Sequence, residues 1–488
     1  MSIFSNREKA ESKLPAHGQG KGKTAPSVAA ALFTSRFSSG FRFARFYFPV
    51  RFGISLCSIL FFAAQAFAQP KDNSPYSRLG LGEEVSHAMS AAGFGGLSAA
   101  YADPFHVNVQ NPASYGWLAA STFEIGAYGE RSKIKTDERS ATVLTGNLSH
   151  LALAFPMRNS LNDELDNKKR NFFWGMNLAL LPNTAIGYDI QTEEVLGGIS
   201  DSILNVFQGT GGTSKLVWGN GVRYKNFSAG VNIDYIFGQL ESKRVVLIQD
   251  IGPSYVNEFN DNISVRSLQL TFGFQYKLDL NKKENADGRY TSDESIIIGL
   301  YGNPKSSLKT RSTIQRIGIN DNLRPIVIDT IVNDQDVKMG GTLPSEWTLG
   351  FVYQKNNKWR IGAEYTYGGW SKYDNEAKPE TLFDSNRFAI GAEYSPDATS
   401  YNNYLKRVRY RAGIFYRSDP RLDDLSQYAL TFGFGLPLIL PRGKTSFVNL
   451  AFEAGRYHTG NQINENYMKM SLGFTLNDGT WFYKRKFR

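Results

Sequence analysis

Four histidines lie beyond residue 68, at His87, His106, His150 and His458, and they are the first candidates for acid–base or metal chemistry. None has the His-x-x-x-His spacing that puts two ligands on one helix face, and no Gly-x-Ser-x-Gly elbow occurs. Ser149 and His150 are adjacent, and on a strand adjacent side chains point to opposite faces, so the pair is expected to be two ordinary strand positions. Gly22-Lys23-Thr24 ends like a phosphate-binding loop, but His17 stands where the first glycine is required. One cysteine, Cys57, excludes both a disulfide framework and a cysteine-ligated metal centre. The expectation is therefore no enzyme, no metal and no cofactor. What remains are charges inside alternating segments: Arg360, Arg409 and Arg411, with Glu364 and Glu453. They could take the carboxylate head of a ligand or pair with one another across neighbouring strands.

The elements that hold these residues alternate with period two. From Leu268 to Leu280 the odd members (Leu268, Leu270, Phe272, Phe274, Tyr276, Leu278, Leu280 in succession) are large and apolar, and those between them are small, polar or charged. The same pattern recurs around Val231–Phe237, Trp359–Tyr367, Val408–Tyr416, Tyr428–Leu436, Val448–Ala454 and Met468–Leu476. A soluble sandwich would also alternate, but its second face would be rich in Lys, Glu and Thr. Here that face mixes charges (Asp234, Glu393, Lys469) with glycines (Gly273, Gly350, Gly362, Gly391, Gly413, Gly433). A small and polar face suits a crowded lumen, and a continuous apolar face with Tyr and Trp at its ends suits lipid. The fold expected is all-β, a 14-stranded antiparallel transmembrane barrel. Fifteen alternating segments are the candidates for its strands, near 120–131, 143–156, 171–190, 213–225, 227–238, 264–280, 294–302, 308–332 (one or two), 345–355, 357–368, 386–395, 407–417, 427–436, 446–457 and 467–476, and an even total of fourteen is expected of a bacterial barrel. Asn281–Ser292, Asn333–Gly341 and Asp374–Thr381 read as loops.

The net charge of +10 raises a nucleic-acid partner, and its location dismisses one. Residues 1–68 hold nine basic and two acidic residues, which leaves 46 basic against 43 acidic in the rest of the chain. Arg42, Arg45 and Arg51 precede an apolar stretch, Phe52–Phe67, and Ala66-Phe67-Ala68 is a small-residue cleavage pattern. Residues 1–68 thus read as a signal peptide with an extended basic region, 69–117 as an N-terminal segment and 118–488 as the barrel. Residues 69–117 do not alternate and are rich in Ala and Gly. That composition fits a compact hatch packed inside a barrel, the alternative being a tail without fixed structure.

At this point the chain resembles the FadL-type outer-membrane transporters of long-chain fatty acids and other hydrophobic compounds. The residues that carry the resemblance are Gly93-Phe94-Gly95-Gly96, Ala102-Asp103, Asn111-Pro112-Ala113, Leu343-Pro344 followed by Trp347–Tyr353 and Tyr365–Tyr373, and Phe388–Tyr394 followed by Arg409–Tyr416. The resemblance implies fourteen strands and a hatch whose gate residues are Gly93, Gly95, Gly96, Asn111, Pro112 and Ala113. It also implies a kinked third strand that leaves a gap in the wall. Pro182-Asn183 is the candidate kink, since proline cannot donate to the ladder; a plain turn at Pro182 is the alternative. The function implied is passive uptake of a hydrophobic small molecule into the outer membrane and its lipid, in a Gram-negative cell. The alternative is a barrel subunit of an outer-membrane secretion or assembly complex, with protein partners in the membrane.

Overall fold

A computed structural model describes residues 74–479 other than 86–88, 137–139, 159–170, 196–201, 249–254, 285–289, 321–325, 357, 441–443 and 461–462. The export signal expected over 1–68 lies outside the described residues. The long strands, in chain order, are β1 (Ser121–Lys135), β2 (Ser140–Pro156), β3 (Phe172–Val195), β4 (Ser202–Tyr224), β5 (Phe227–Ile248), β6 (Tyr255–Leu280), β7 (Glu294–Asn303) and β8 (Ser306–Asn320). They continue with β9 (Ile326–Leu343), β10 (Glu346–Lys355), β11 (Trp359–Gly368), β12 (Ser385–Tyr394), β13 (Arg409–Ser418), β14 (Ser426–Leu440), β15 (Lys444–His458) and β16 (Asn464–Asp478).

Fourteen of these, β1–β7 and β10–β16, close into an antiparallel ring in which β16 pairs back onto β1. The other two leave it. β6 divides: Phe272–Leu280 pairs with β7, and Tyr255–Ser267 pairs with β8. β8 and β9 form a hairpin on that upper half. The region 308–332 belongs to this hairpin, and 333–341, expected as loop, is part of β9.

On β6 the outward residues Leu268, Leu270, Phe272, Phe274 and Tyr276 are 36–59% exposed, while Gln269, Thr271 and Gln275 are buried in the lumen. The apolar belt has the height of a bilayer. On β11 it runs from Trp359 to Tyr367, close to the roughly 9–11 residues a tilted strand needs to cross. Rings mark both rims: Trp359 packs on Tyr394 with centroids 4.2 Å apart, and Trp347 stands opposite Tyr367. The barrel is that of a Gram-negative outer membrane.

Beyond the belt the two faces exchange character. Past Leu268 the outward positions of β6 become Arg266, Ser264 and Asn262, while Val265 and Ile263 are buried inside with Ile236, Leu240, Leu308 and Tyr373. Water has replaced lipid outside, so the apolar residues turn in. This is why β3, β4, β5 and β6 reach 24, 23, 22 and 26 residues, well past the ends read from a lipid-type pattern. β4 and β5 are joined at the other end through Lys225-Asn226 alone. The tall wall and its hairpin lie at the end of the barrel opposite Lys225-Asn226.

One strand supplies its own control for this orientation. Phe272→Arg should cost about 2–4 kcal/mol of folding stability in lipid vesicles, because it puts a charge within the belt. Ser264→Arg, on the same face but beyond the belt, should stay within about 0.5 kcal/mol of the parent. Denaturant unfolding followed by heat-modifiable gel mobility measures both.

Candidate functional site

The described residues between 74 and 118 pack against the inward faces of the strands. The lumen glycines are the seats. They are in cross-strand register as Gly175–Gly221–Gly230–Gly273 on β3–β6, Gly299–Gly350 on β7 and β10, and Gly362–Gly391–Gly413 on β11–β13. A Cβ at Gly175 would overlap the Tyr115 carbonyl, one at Gly273 the Asn111 side chain, one at Gly299 the Ala99 carbonyl and one at Gly391 the Phe94 carbonyl. The wall is bare there because backbone lies on it.

The segment's own glycines serve the same fit. A Cβ at Gly93 would meet the backbone of Gly433. Gly95 and Gly96 both have left-handed φ, +70° and +71°, and turn the chain so that Leu97 and Ala99 reach the next strands. Asn111 caps the short 3-10 helix Pro112–Trp117 by accepting from Ala113 N at 3.0 Å, and its Nδ2 donates to the Ala99 carbonyl at 2.6 Å. The wall grips this turn through Tyr115 Oη, which bonds Asn232 Oδ1 at 3.1 Å, and through Gln275 Nε2, which donates to Ala99 O at 2.9 Å.

The three arginines singled out in the sequence converge. Arg360 Nη1 and Arg409 Nη1 donate to Asp103 Oδ2 at 2.9 and 2.7 Å. Arg360 also reaches Glu393 Oε1 at 3.1 Å, and Arg411 Nε donates to Glu393 Oε2 at 2.7 Å. Arg411 Nη1 continues to Asn449, and His106 Nδ1 lies 3.3 Å from Asp103 Oδ1. Asp103 is fully buried. Burial alone would raise its pKa, but Arg409, His106 and Arg360 outweigh that and hold its carboxyl well below the usual aspartate range. A second carboxylate, Glu364, accepts from Ser98 N and Ala99 N, both at 2.7 Å. All three arginines therefore have carboxylate partners.

The wall itself is incomplete at one seam. β2 pairs with β1 along its length but with β3 only from Pro156–Gly175 to Leu151–Leu180. Above Leu180, β3 has a bulge: Pro182 pairs with Ser214 and Thr184 with Thr213, which leaves Asn183 over. The strand continues through the proline rather than turning. On the side facing β2, two residues of the N-terminal segment take the place of wall. Glu83 and Glu84 pair antiparallel with Ala185 and Thr184, and Val85 N donates to Asn183 O at 3.1 Å. Side chains hold that short strand: Arg417 pairs with Glu84 at 2.7 Å, and Tyr457 Oη donates to Glu83 at 2.7 Å. Leu144, Leu148 and Leu180 are exposed beside the seam.

A cavity of about 170 Å³ adjoins the bulge. Its lining mixes apolar residues, Leu81, Leu181, Ile236 and Leu382, with polar ones, Gln110, Lys215, Asp234 and Thr271.

Ser149 and His150 do not face opposite ways. A bulge between Gly126 and Ala127 pairings turns both inward, each 3% exposed, with Ser149 Oγ 3.0 Å from His150 Nδ1 and His150 Nε2 3.5 Å from Glu124. Asp103, Glu393 and Glu83-Glu84 were not recognisable as site residues. Asp103 stood in the resemblance motif, but its two arginines come from strands more than 250 positions away.

A family model described as BamG matches residues 53–488. The chain belongs to the BamG family. Solved structures similar to this BamG-family chain include the toluene transporter TodX of P. putida, with 16% identity and a TM-score of 0.50, covering 81% of this chain and 99% of that one. A TodX deltaS2S3 mutant, described as a monoaromatic hydrocarbon channel, gives 16% identity and 0.52 over 81% and 99%. A FadL homologue of Pseudomonas aeruginosa gives 12% and 0.50 over 84% and 100%. At these identities the likeness is one of fold: the BamG-family barrel has the FadL-type architecture. No curated protein sequence matches the chain.

Proposed function

We propose that this protein is a passive channel through which a hydrophobic small molecule enters from the cell surface and leaves sideways into outer-membrane lipid, with residues 74–118 acting as the hatch. The observation that carries this reading is the seam between β2 and β3. Wall pairing stops at Leu151–Leu180, beside a cavity and at the height of exposed leucines, and a two-residue strand of the N-terminal segment stands in the opening. Moving two residues is a smaller change than opening a ring of continuous strands. The transport named for the structural neighbours lends support to a hydrophobic cargo. Pro182→Val tests the route: a new N–H donor and an unbulged β3 should extend pairing toward β2 and lower the uptake of a hydrophobic dye. Unchanged uptake would contradict it.

A second reading, a subunit of an outer-membrane complex, draws on the hairpin. Along Ile326–Met339, β9 pairs with β8 and has no strand on its other edge among the described residues. Val327, Ile328 and Ile331 there are 53%, 50% and 68% exposed, well above the lipid belt. Stoichiometric co-purification with a membrane assembly, together with absence of uptake, would favour it.

A further inference from the structure

Between β12 and β13 the chain runs over the rim from Ser395 to Val408, at the same end of the barrel as Lys225-Asn226. It carries a short helix, Tyr404–Arg407, whose cap Asn403 accepts from Leu405 N at 3.0 Å. One hydrogen bond fixes the side on which this helix lies. Arg409 and Arg411 face the lumen, so Tyr410 between them faces lipid, where its ring meets Phe434. The Tyr410 hydroxyl donates to the Leu405 carbonyl at 3.0 Å, which puts the helix on the lipid side of the rim. Tyr401, Tyr404 and Leu405 are 95%, 40% and 65% exposed, on the stretch that follows the Trp359–Tyr394 pair at the end of the belt. Aromatic and apolar side chains at that height suit the head-group layer of a bilayer.

The charges of this stretch are cations without partners. Ser395 N donates to the Lys358 carbonyl and Asp397 N to the Lys406 carbonyl, each at 2.8 Å, so the two lysines and Arg407 share one part of the rim. Elsewhere at this end lysines are neutralised: Lys277 by Asp279 at 3.5 Å, Lys355 by Glu294 at 2.6 Å and Lys444 by Asp478 at 2.7 Å. Among the described residues Lys358, Lys406 and Arg407 have no ion pair. The single acid of the stretch, Asp397, is turned onto Thr399, whose N and Oγ1 donate to its Oδ1 at 3.0 and 2.7 Å. Arg407 lies over the Tyr404 ring at 5.2 Å, and its Nε is buried without an acceptor. A buried donor left unmet, with two unpaired ammonium groups on the same rim, marks a place for an anion. The exposed apolar side chains and the adjoining belt make that anion an amphiphile.

We propose that this rim binds one anionic phospholipid, its phosphate on Arg407 with Lys358 and Lys406 beside it and its chains running down the belt past Trp359 and Tyr394. A guanidinium matches phosphate oxygens in pairs, and the two lysines favour a head whose charge is not cancelled by an ammonium of its own. The site shares no residue with the seam and stands apart from the channel reading.

Phosphatidylglycerol and phosphatidylcholine with identical chains differ in the head alone. Native mass spectrometry of the purified protein in a nonionic detergent, offered both lipids in equal amounts, should show one phosphatidylglycerol retained at least about tenfold more tightly than phosphatidylcholine. The combined variant Lys358→Gln, Lys406→Gln, Arg407→Gln should narrow that preference to within about twofold, whereas Lys277→Gln, at a paired cation of the same end, should keep it. In the parent the preference should also shrink as salt rises from about 0.05 to 0.5 M, a readout that needs no variant. Heat-modifiable mobility confirms the folded barrel in each sample. Equal retention of the two lipids, a preference that survives in the combined variant, or one indifferent to salt would each overturn the proposal. Displacement of the bound lipid by millimolar inorganic phosphate would overturn it too, since the rim would then be a site for free anions. Release of the lipid by a co-purifying protein seated on Tyr401 and Leu405 would assign the face to that protein instead.

Discussion

A protein with valine at Gly391 should not hold its N-terminal segment in place. The new Cβ would overlap the carbonyl of Phe94, and the atoms on both sides are backbone, which cannot swing aside as a side chain can. Overpacking of this kind costs about 1–3 kcal/mol and more where nothing yields, so a loss of at least about 3 kcal/mol in the seating of residues 89–118 is expected. Limited proteolysis of the folded barrel would show it as new cleavage within that segment. Gly129→Val is the matched control, because a Cβ at Gly129 meets nothing within 4 Å, and it should leave the segment protected.

The second large effect is expected at Asp103. With alanine there, Arg360 and Arg409 lose a shared carboxylate and stand buried beside one another. Breaking one side of a buried ion-paired group costs about 3–5 kcal/mol. The pH dependence has a definite sign. Asp103 is held below the ordinary aspartate value, so its contribution to seating is complete above about pH 4 and is lost only as pH falls through its folded value. Between pH 8 and 5 the contribution of the Asp103 carboxylate should therefore be constant, and its loss should begin below about pH 4 in the parent. Protease sensitivity across that range measures both the variant and the acid effect. In Asp103→Ala, cleavage should already be rapid at neutral pH.

The barrel was legible in the sequence where lipid lies on one side, since lipid demands an unbroken apolar row and the lumen tolerates glycine and charge. Leu268–Leu278 and Tyr428–Leu436 show it plainly. Where the strands rise out of the membrane the demand reverses. A lipid-type pattern does not place Val265 and Ile263 in the lumen; it ends β3–β6 early and reads 333–341 of the hairpin as loop. The lumen glycines were visible as small residues, but their purpose was not, because it depends on backbone from a segment up to some 300 positions away. The same limit hid the partners of the arginines. Arg360, Arg409 and Arg411 stood out by charge on an alternating strand, whereas Asp103 sits in a stretch without periodicity. Bulges lie beyond any period-two reading: those at Ser149 and Asn183 each reset which face a side chain takes, and the second sits at the seam.

In the proposed route cargo passes where Glu83 and Glu84 stand against β3, and one disulfide tests it. Glu84 and Thr184 are direct pairing partners. Cysteines at both positions can be joined and released at will in the folded protein, since the one native cysteine, Cys57, lies in the expected signal peptide. Uptake of a hydrophobic dye into vesicles should stop when the pair is oxidised and return on reduction, with the barrel intact in both states. Undiminished uptake by the fully oxidised protein would rule out passage at this seam.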